Sequence, residues 1–408
     1  MEKLSKNFIW MGAAHIAGSI FSLILGVYLA RMLLPEALGY LSYVFTIIFF
    51  FFNFIDLGLS TFGVREIASN KSRFSEYVSE IVSFRLAIAL ILFILVIASS
   101  FLMPKNSLVK ILLVESSFLF FIWALSTEWA FQSLEKMHMV FLSSAVTGAL
   151  QLALIYTFVR GPKDLLRIPV LYVAASIPIA VIFLKKTGYK FKLPREYFEN
   201  LYLYLSSSII IWSISVFAQI YNNLDLFILG LFRSIEEVGF FTIARRVVGA
   251  FAIFMIFLAN AILPRLSSSF ASKDINEFRR STRKFLKLAA LLSVFVLLPF
   301  ILFSRKVIAL TVGSQYAQAA VPLDIMMIGV AAILFNLPYS TALIAAHFEK
   351  SVLIQTAASA VLSIFLNFAL IPKYGMIGAS VSFVAAEMLA LAWILWLYHK
   401  KIRLGICR

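Results

Sequence analysis

The segment "GYLSYVFTIIFFFFNFIDLGLSTFGV", residues 39–64, decides the fold class. A helix of about 20 mostly apolar residues crosses the hydrocarbon core of a membrane, and this segment exceeds that length. It nevertheless carries Asn53 and the carboxylate Asp56 in its second half. Polar groups inside a spanning helix usually face a bundle interior or a water-filled cavity. The segment therefore predicts a membrane-spanning helix with one polar face near its inner end.

The rest of the chain has the same character. It contains 408 residues, of which 62% are hydrophobic and 14% charged, and its mean hydropathy is +0.95. A soluble domain carries roughly 45–50% apolar and about 25% charged residues, so the chain belongs to the membrane class. The single cysteine, Cys407, and four widely separated histidines provide no disulfide framework and no metal-ligand spacing. We predict no metal site and no cofactor, and keep open a coupling Na⁺ or H⁺.

Apolar runs of spanning length recur along the chain and predict an all-α polytopic protein. The first run follows a basic start, but its apolar stretch of about 23 residues lacks a small-residue cleavage site, so we predict a retained span rather than a signal peptide. The twelve predicted spans are 8–30, 39–64, 81–103, 108–131, 138–159, 168–184, 205–231, 238–263, 285–303, 322–346, 351–371 and 376–398.

The distribution of Lys and Arg residues among the loops predicts the orientation of the chain in the membrane. The net charge is +16, and with the N-terminus inside, 23 of the 36 Lys and Arg residues fall in inner segments and 10 in outer ones. This bias predicts cytoplasmic N- and C-termini in a cell-membrane protein. Because the cations lie in short loops between spans, nucleic acid is not predicted as a partner.

Two long inner segments organise the chain. The first, 185–200, predicts a cytoplasmic linker between an N-terminal six-helix lobe, 1–184, and a C-terminal six-helix lobe, 201–408. The second, 264–287, is basic with interspersed apolar residues and predicts a helix along the inner membrane surface. A plain solvated loop is the alternative.

The two halves share a short pattern. "LGVYLARMLLPEALGYLSYVF", 25–45, and "LGLFRSIEEVGFFTIARRV", 229–247, match if a four-residue gap is allowed after the Leu-Gly pair. This pattern predicts a parallel repeat of six helices, an arrangement found in transporters.

Polar residues recur at steps of three or four on predicted spans 1, 2 and 7, so they share helix faces. Such faces pack helices together or line a cavity, and both readings remain open. The predicted cavity-facing polar residues are His15, Asn53, Gln219, Asn222 and Asn223.

Charged residues within the spans form two predicted acid–base couples. Asp225 and Arg245 lie about 9 and 10 Å below the outer ends of their helices, and Asp56 and Arg85 lie about 12 and 6 Å above the inner ends. The couples either hold helices together or leave a cationic cavity for an anionic ligand, since arginine binds two phosphate oxygens at once.

The predicted substrate-binding cations are Arg31, Arg85, Arg245 and Arg246. The predicted charge-balancing or coupling acids are Asp56, Asp225 and Glu387. Glu387 and Glu128 are each either a proton or sodium site or a carboxylate satisfied by a neighbouring hydroxyl.

Enzymatic motifs are missing from the sequence. It contains no GxxxxGK[ST], GxSxG or HExxH pattern, and its longest predicted outer loop, 304–321, is too short for a catalytic domain. We therefore predict that the protein is not an enzyme. A membrane glycosyltransferase would need a large acidic outer loop.

Three stretches resemble polysaccharide flippases of the O-antigen and teichoic-acid type. These belong to the multidrug/oligosaccharidyl-lipid/polysaccharide (MOP) exporter superfamily. The stretches are "LARMLLPEALGYLSYVFTIIFFFFNFIDLGLSTFGVREIA", 29–68, "NNLDLFILGLFRSIEEVGFFTIARRV", 222–247, and "NFALIPKYGMIGASVSFVAAE", 367–387. They occur in the family's order and fall across nearly the whole chain.

The resemblance implies a MATE-like fold, with two six-helix lobes around a central cavity lined by helices 1, 2, 7 and 8. It also implies a function: flipping an isoprenoid-(pyro)phosphate-linked oligosaccharide from the inner to the outer leaflet by alternating access. The expected partners are this lipid-linked glycan, membrane lipid and glycan-assembly enzymes. The alternative function is a proton- or sodium-coupled drug or cation antiporter of the same superfamily.

Overall fold

The fold is built from helices. The computed structural model describes residues 2–102, 106–191 and 223–403, with six separate positions between 209 and 219, and these residues contain no strand. In chain order the helices are α1 (Glu2–Met32), α2 (Pro35–Asp56), α3 (Leu59–Ser69), α4 (Phe74–Leu102), α5 (Ser107–Ser117), α6 (Leu119–Leu125), α7 (Glu128–Ser133), α8 (Met137–Phe158), α9 (Arg167–Thr187), α10 (Asn223–Phe232), α11 (Ile235–Ala271), α12 (Ile275–Thr311), α13 (Ala320–Ala345) and α14 (Glu349–Tyr398).

Many of these helices have membrane-spanning length and composition. Within the described residues, eight segments are long and apolar enough to cross a membrane, and a bent pair in α12 raises the number to nine. Predicted span 7, 205–231, lies partly outside the described residues. The all-α polytopic class is therefore confirmed, while the count of twelve spans stays a prediction.

Two predicted spans are broken rather than continuous. The second ends as α2 at Asp56 and resumes as α3 at Leu59, because Leu57 and Gly58 both adopt positive φ, 46° and 75°. Glycine takes this conformation without steric cost, whereas leucine does so only where its surroundings hold it. The fourth is divided into α5, α6 and α7. Both runs still count as candidate spans, Pro35–Ser69 and Ser107–Ser133, but each is divided into shorter helices.

The opposite happens in α14, where one helical segment contains two predicted spans. Gly375 inside it has φ 57° and ψ −135°, far from helical values. A Cβ atom on Gly378 would overlap the carbonyl of Leu370, although residues eight apart in a straight helix are separated by about 12 Å. The chain therefore reverses at Gly375, which separates α14 into two arms at the boundary between the predicted spans 351–371 and 376–398.

The basic segment 264–287 forms the end of α11 and the start of α12, joined by a three-residue turn. Asp274 caps α12, its carboxylate accepting a hydrogen bond from the Glu277 amide at 2.9 Å. Phe278 and Phe285 are 0% and 2% exposed, so these two apolar residues of the segment pack into the protein core. The segment forms parts of two longer helices, and its predicted position along the inner membrane surface stays a prediction.

By internal packing the chain forms two compact units, residues 1–223 (unit 1) and 224–408 (unit 2). In unit 1, α1 packs along α8, and α3 packs against α7. In unit 2, α13 packs against α11, α12 and α14. The predicted linker lies partly outside the described residues, so the division at 184 and 201 stays a prediction.

Each unit contains a helical hairpin with the same backbone pattern. Two hydrogen bonds end one helix and begin the next, joining residues 29–33 and 34–38 in unit 1 and residues 229–233 and 234–238 in unit 2. The N-cap residues, Leu34 and Ser234, are also 200 positions apart. Gly39 therefore corresponds to Gly239 with no gap. The predicted four-residue gap was wrong because it aligned the Leu-Gly letters instead of the backbone.

Candidate functional site

A buried arginine in unit 1 connects two broken helices. Nη2 of Arg85, on α4, donates hydrogen bonds to the Asp56 carboxylate and the Ser60 hydroxyl. Asp56 ends α2 and Ser60 lies in the first turn of α3. Nη1 of Arg85 donates to the carbonyl of Ser126 at 3.2 Å, and this residue lies between α6 and α7. One guanidinium therefore spans both helix breaks.

The two helix breaks explain why a cation is buried at this position. A backbone carbonyl released by a helix break inside a membrane must find a partner within the protein. Ser126 finds it in Arg85, and Asp56 balances the positive charge. The Arg85 side chain is only 3% exposed and lies over the ring of Trp129, 5.7 Å from its centroid. These contacts direct its donors into unit 1, where they hold helices together.

The second predicted couple lies in unit 2. Asp225 Oδ2 on α10 is 3.5 Å from Nε of Arg245 on α11. Asp225 is 6% exposed, and its Oδ1 accepts a hydrogen bond from the Leu226 amide at 2.8 Å. A distance of 3.5 Å exceeds the usual 2.7–2.9 Å of a charge-assisted hydrogen bond. The Arg245 side chain remains 20% exposed.

The other two predicted cations are exposed. Arg246 follows Arg245 on α11 and lies within electrostatic range of the buried Tyr316 hydroxyl. Arg31 lies in the last turn of α1, in unit 1. The structure thus places Arg245 and Arg246 together in unit 2, with Asp225 as an acidic neighbour.

The predicted polar faces have mixed environments. His15 is exposed on α1, and the backbone carbonyl of Asn53 accepts a hydrogen bond from the Trp212 indole at 2.9 Å. The Asn223 side chain donates to the Gln219 carbonyl at 3.4 Å. Asn222 lies outside the described residues.

Glu128 and Glu387, for which two alternatives were open, lie in different environments. The Glu128 carboxylate accepts a hydrogen bond from the Ser143 hydroxyl, so the alternative of a carboxylate satisfied by a neighbouring hydroxyl is confirmed there. Glu387 is half-buried in the second arm of α14, and its predicted role stays a prediction. No group of three or more His, Cys, Asp or Glu side chains suited to a metal ion occurs among the described residues.

One cluster was missed by sequence reasoning. The Glu237 carboxylate pairs with Arg233 at 3.1 Å and accepts a hydrogen bond from the Met376 amide at 3.1 Å. Its own amide donates to Ser234 Oγ at 3.3 Å. The spacing Ser234-x-x-Glu237 before an apolar helix is a capping-box signal visible in sequence. The contact with Met376, 139 positions away, has no local signal.

The fold has clear structural relatives. The lipid II flippase MurJ in an inward closed conformation aligns with TM-score 0.74 at 15% identity, covering 95% of this chain and 87% of that one. An inward-facing multidrug resistance MATE family transporter of the MOP superfamily aligns with TM-score 0.69 at 16% identity, covering 95% and 94%. The chain is thus an all-α polytopic membrane protein with a MATE-like fold.

Sequence comparison identifies the family. The family model described as "Polysaccharide biosynthesis protein" matches residues 4–270, and the MatE model matches residues 211–369. Capsular polysaccharide biosynthesis protein CapF of Staphylococcus aureus is 22% identical over 97% of this chain and 99% of its own length. The "Putative O-antigen transporter" of Escherichia coli K12 is 21% identical over 99% and 98%. Since the first model covers more than half of the chain, the protein belongs to the polysaccharide biosynthesis protein family, within the MOP superfamily.

Proposed function

We propose that the protein flips a lipid-linked oligosaccharide across the membrane. The family match over residues 4–270 carries this proposal. Support comes from the relative named as an O-antigen transporter and from the flippase that shares the fold. These relatives are transport proteins by name, which agrees with a chain that is not an enzyme.

The substrate's phosphate gives the cations a role. An isoprenoid-(pyro)phosphate carries its negative charge next to the sugar, and a guanidinium matches two phosphate oxygens at once. Arg245, partly exposed beside Asp225, fits the requirement for a cation that binds and later releases this group. Arg246 and Arg31 add exposed positive charge. Arg85 is buried against Asp56 and Ser60, so its proposed contribution is to fix α2 and α3 rather than to meet the substrate.

The proposed function also implies a membrane location, an orientation and residues for ion coupling. We propose a cell-membrane protein with cytoplasmic termini, supported by the Lys and Arg bias of the loops. Glycan-assembly enzymes are its proposed partners, since they would supply the lipid-linked glycan. Asp56, Asp225 and Glu387 are the proposed sites of charge balance or of coupling to Na⁺ or H⁺. The proposed lobes are 1–184 and 201–408.

Transport in liposomes tests the function. The purified protein is reconstituted, and movement of a fluorescent isoprenoid-phosphate sugar between leaflets is measured. We expect Arg245→Ala and Arg31→Ala to slow movement by about tenfold each, since a hydrogen bond to a charged group contributes about 1.5–3 kcal/mol. Arg160→Ala, at an exposed outer-loop arginine, is the matched control and should leave the rate unchanged. Wild-type rates in both cationic variants would exclude the cationic site.

The second candidate function is ion-coupled export of a drug or cation. The MatE match over residues 211–369 favours it. It predicts that a cationic drug stimulates Na⁺ or H⁺ flux in the same liposomes. Drug-stimulated flux without movement of the lipid-linked sugar would replace the flippase proposal with this one.

A further inference from the structure

The start of α12 carries an exposed row of cations. Arg280, Arg283, Lys284 and Lys287 are all exposed, and their spacing of three and four residues places them on one helix face. The neighbouring Phe278 and Phe285 are buried, so they fix the helix with this row turned away from the core.

The helical turn that follows α14, His399–Arg403, adds further cations to this surface. Arg279 Nη2 donates a hydrogen bond to the carbonyl of Ile402 at 3.3 Å, although the two residues are 123 positions apart. The side chains of Thr282 and Tyr398 are hydrogen-bonded, and Phe278 and Ile402 belong to one buried cluster. Lys400 and Lys401 therefore lie at the same end of unit 2 as the α12 row. We name the six cations Arg280, Arg283, Lys284, Lys287, Lys400 and Lys401 the basic patch.

The acids at the start of α12 are engaged in local contacts. Asp274 caps the helix through the Glu277 amide at 2.9 Å. The Glu277 carboxylate pairs with Arg265 at 2.7 Å and accepts a hydrogen bond from the Ser281 hydroxyl at 3.0 Å. Arg265 is outside the basic patch. The patch therefore keeps a strong positive charge.

The surface next to the patch indicates a lipid occupant. One turn beyond the cationic row, α12 exposes Leu291, Val294 and Phe295 by 54%, 60% and 70%. In α14, Trp396 is 53% exposed, and Lys400 Nζ lies 4.8 Å from its ring centroid. Tryptophan and the long stems of lysine and arginine are typical of the membrane–water boundary. The cations therefore lie where headgroups meet the hydrocarbon core.

We propose that the basic patch binds the phosphate headgroups of anionic phospholipids in the leaflet that it faces. Each Lys or Arg near a membrane surface contributes attraction to anionic lipid, and that attraction is screened by salt. Several cations on one rigid face hold more than one phosphate, and the exposed apolar residues of α12 contact the acyl chains. This site is separate from Asp225 and Arg245 and does not depend on the transported molecule.

Lipid binding to the full-length protein in detergent tests the proposal. Retention of fluorescent phosphatidylglycerol is compared with that of fluorescent phosphatidylcholine. The test variant combines Arg280→Gln, Arg283→Gln and Lys284→Gln, and should lose affinity for phosphatidylglycerol by on the order of a hundredfold. Arg279 is retained because it holds Ile402. The matched control combines Lys185→Gln, Lys186→Gln and Lys190→Gln, which removes three exposed cations from unit 1.

The expected result is loss of phosphatidylglycerol binding in the test variant alone, with unchanged elution in gel filtration and weaker wild-type binding at high salt. Equal loss in the control would mean that total charge sets binding, and the proposal would fail. Wild-type affinity in the test variant would also overturn it. Inorganic pyrophosphate is tested separately: if it displaces the lipid at equal concentration, the site recognises phosphate alone and the lipid assignment is wrong.

Discussion

At the scale of single residues, Arg85 is a charged side chain buried inside the protein. It lies almost fully buried in a helix of membrane-spanning composition and satisfies a carboxylate, a hydroxyl and a backbone carbonyl from three other segments. A buried cation of this kind is tolerated only where its partners are fixed around it. Its contacts therefore predict a large stability effect when it is removed.

We expect Arg85→Met to lower the free energy of unfolding by about 3–5 kcal/mol, because it leaves the Asp56 carboxylate without its buried partner. Thermal unfolding of the purified protein in detergent measures this. Arg73→Met is the control: Arg73 and Glu76 form a partly exposed pair, 42% and 41% exposed, and should contribute no more than about 1 kcal/mol. Equal shifts in both variants would contradict the assigned role of Arg85.

Part of this cluster could be predicted from sequence. The spacing along two spans brought Asp56 and Arg85 to depths about one helical turn apart, since helical rise is constant. Ser60 and the carbonyl of Ser126 could not be predicted as partners, because both depend on breaks that the continuous apolar pattern hides. The Asp225–Arg245 couple was predicted from depth across a short hairpin and is present.

At the scale of elements, helix breaks and reversals decide the architecture. A hydropathy profile measures the length of an apolar run, but it does not detect a residue with positive φ inside that run. Gly58 and Gly375 both have positive φ, and glycine was the available sequence signal. The pattern separated the two arms of α14 because Pro372 and Lys373 interrupt it, whereas residues 39–64 contain no proline and only one charged residue, Asp56.

The reversal at Gly375 gives the prediction at this scale. Its φ of 57° disfavours any side chain, and a Cβ would overlap the Glu237 carboxylate and approach Arg233. We expect Gly375→Ala to cost about 1–3 kcal/mol of stability, because a residue held in a disfavoured conformation costs that much. The melting temperature of the purified variant measures this.

Gly249→Ala is the matched control for that variant. Gly249 lies inside α11 with no atom within 4 Å of a built Cβ. An alanine in a helix interior is favoured over glycine by roughly 0.5–1 kcal/mol, so this change should be neutral or stabilising. If Gly375→Ala melts at or above the wild-type temperature, the reversal does not need glycine.

At the scale of the whole molecule, the sequence predicted the class of protein and its family more readily than the alignment of its two halves. Composition alone indicated a membrane protein, since its apolar content far exceeds that of soluble domains. The pattern shared by the two halves could be recognised, but its alignment could not, because the Leu-Gly letters of residues 25–26 are a chance match to residues 229–230. The matching backbone hydrogen bonds of the two hairpins gave the correct alignment. Such bonds depend on backbone geometry rather than on side-chain identity.

Membrane topology gives the prediction at this scale. Cys407 is the one cysteine in the sequence, and cytoplasmic termini predict that a membrane-impermeant maleimide does not label it in intact cells. In a Cys407→Ser background, Lys163→Cys adds a thiol at an exposed position in a predicted outer loop and should be labelled. The two thiols are compared before and after lysis. Labelling of Cys407 in intact cells would reverse the proposed orientation.

The equal length of the two hairpins also limits which mutations they tolerate. Matching hydrogen bonds lie at positions 200 residues apart, while each hairpin begins its second helix differently, with Pro35 in the first and the Ser234 cap in the second. One residue inserted between residues 29 and 40 or between 229 and 240 would rotate the following helix by about 100° relative to the preceding one, since one turn takes about 3.6 residues. Substitutions in these hairpins should therefore be tolerated more readily than insertions.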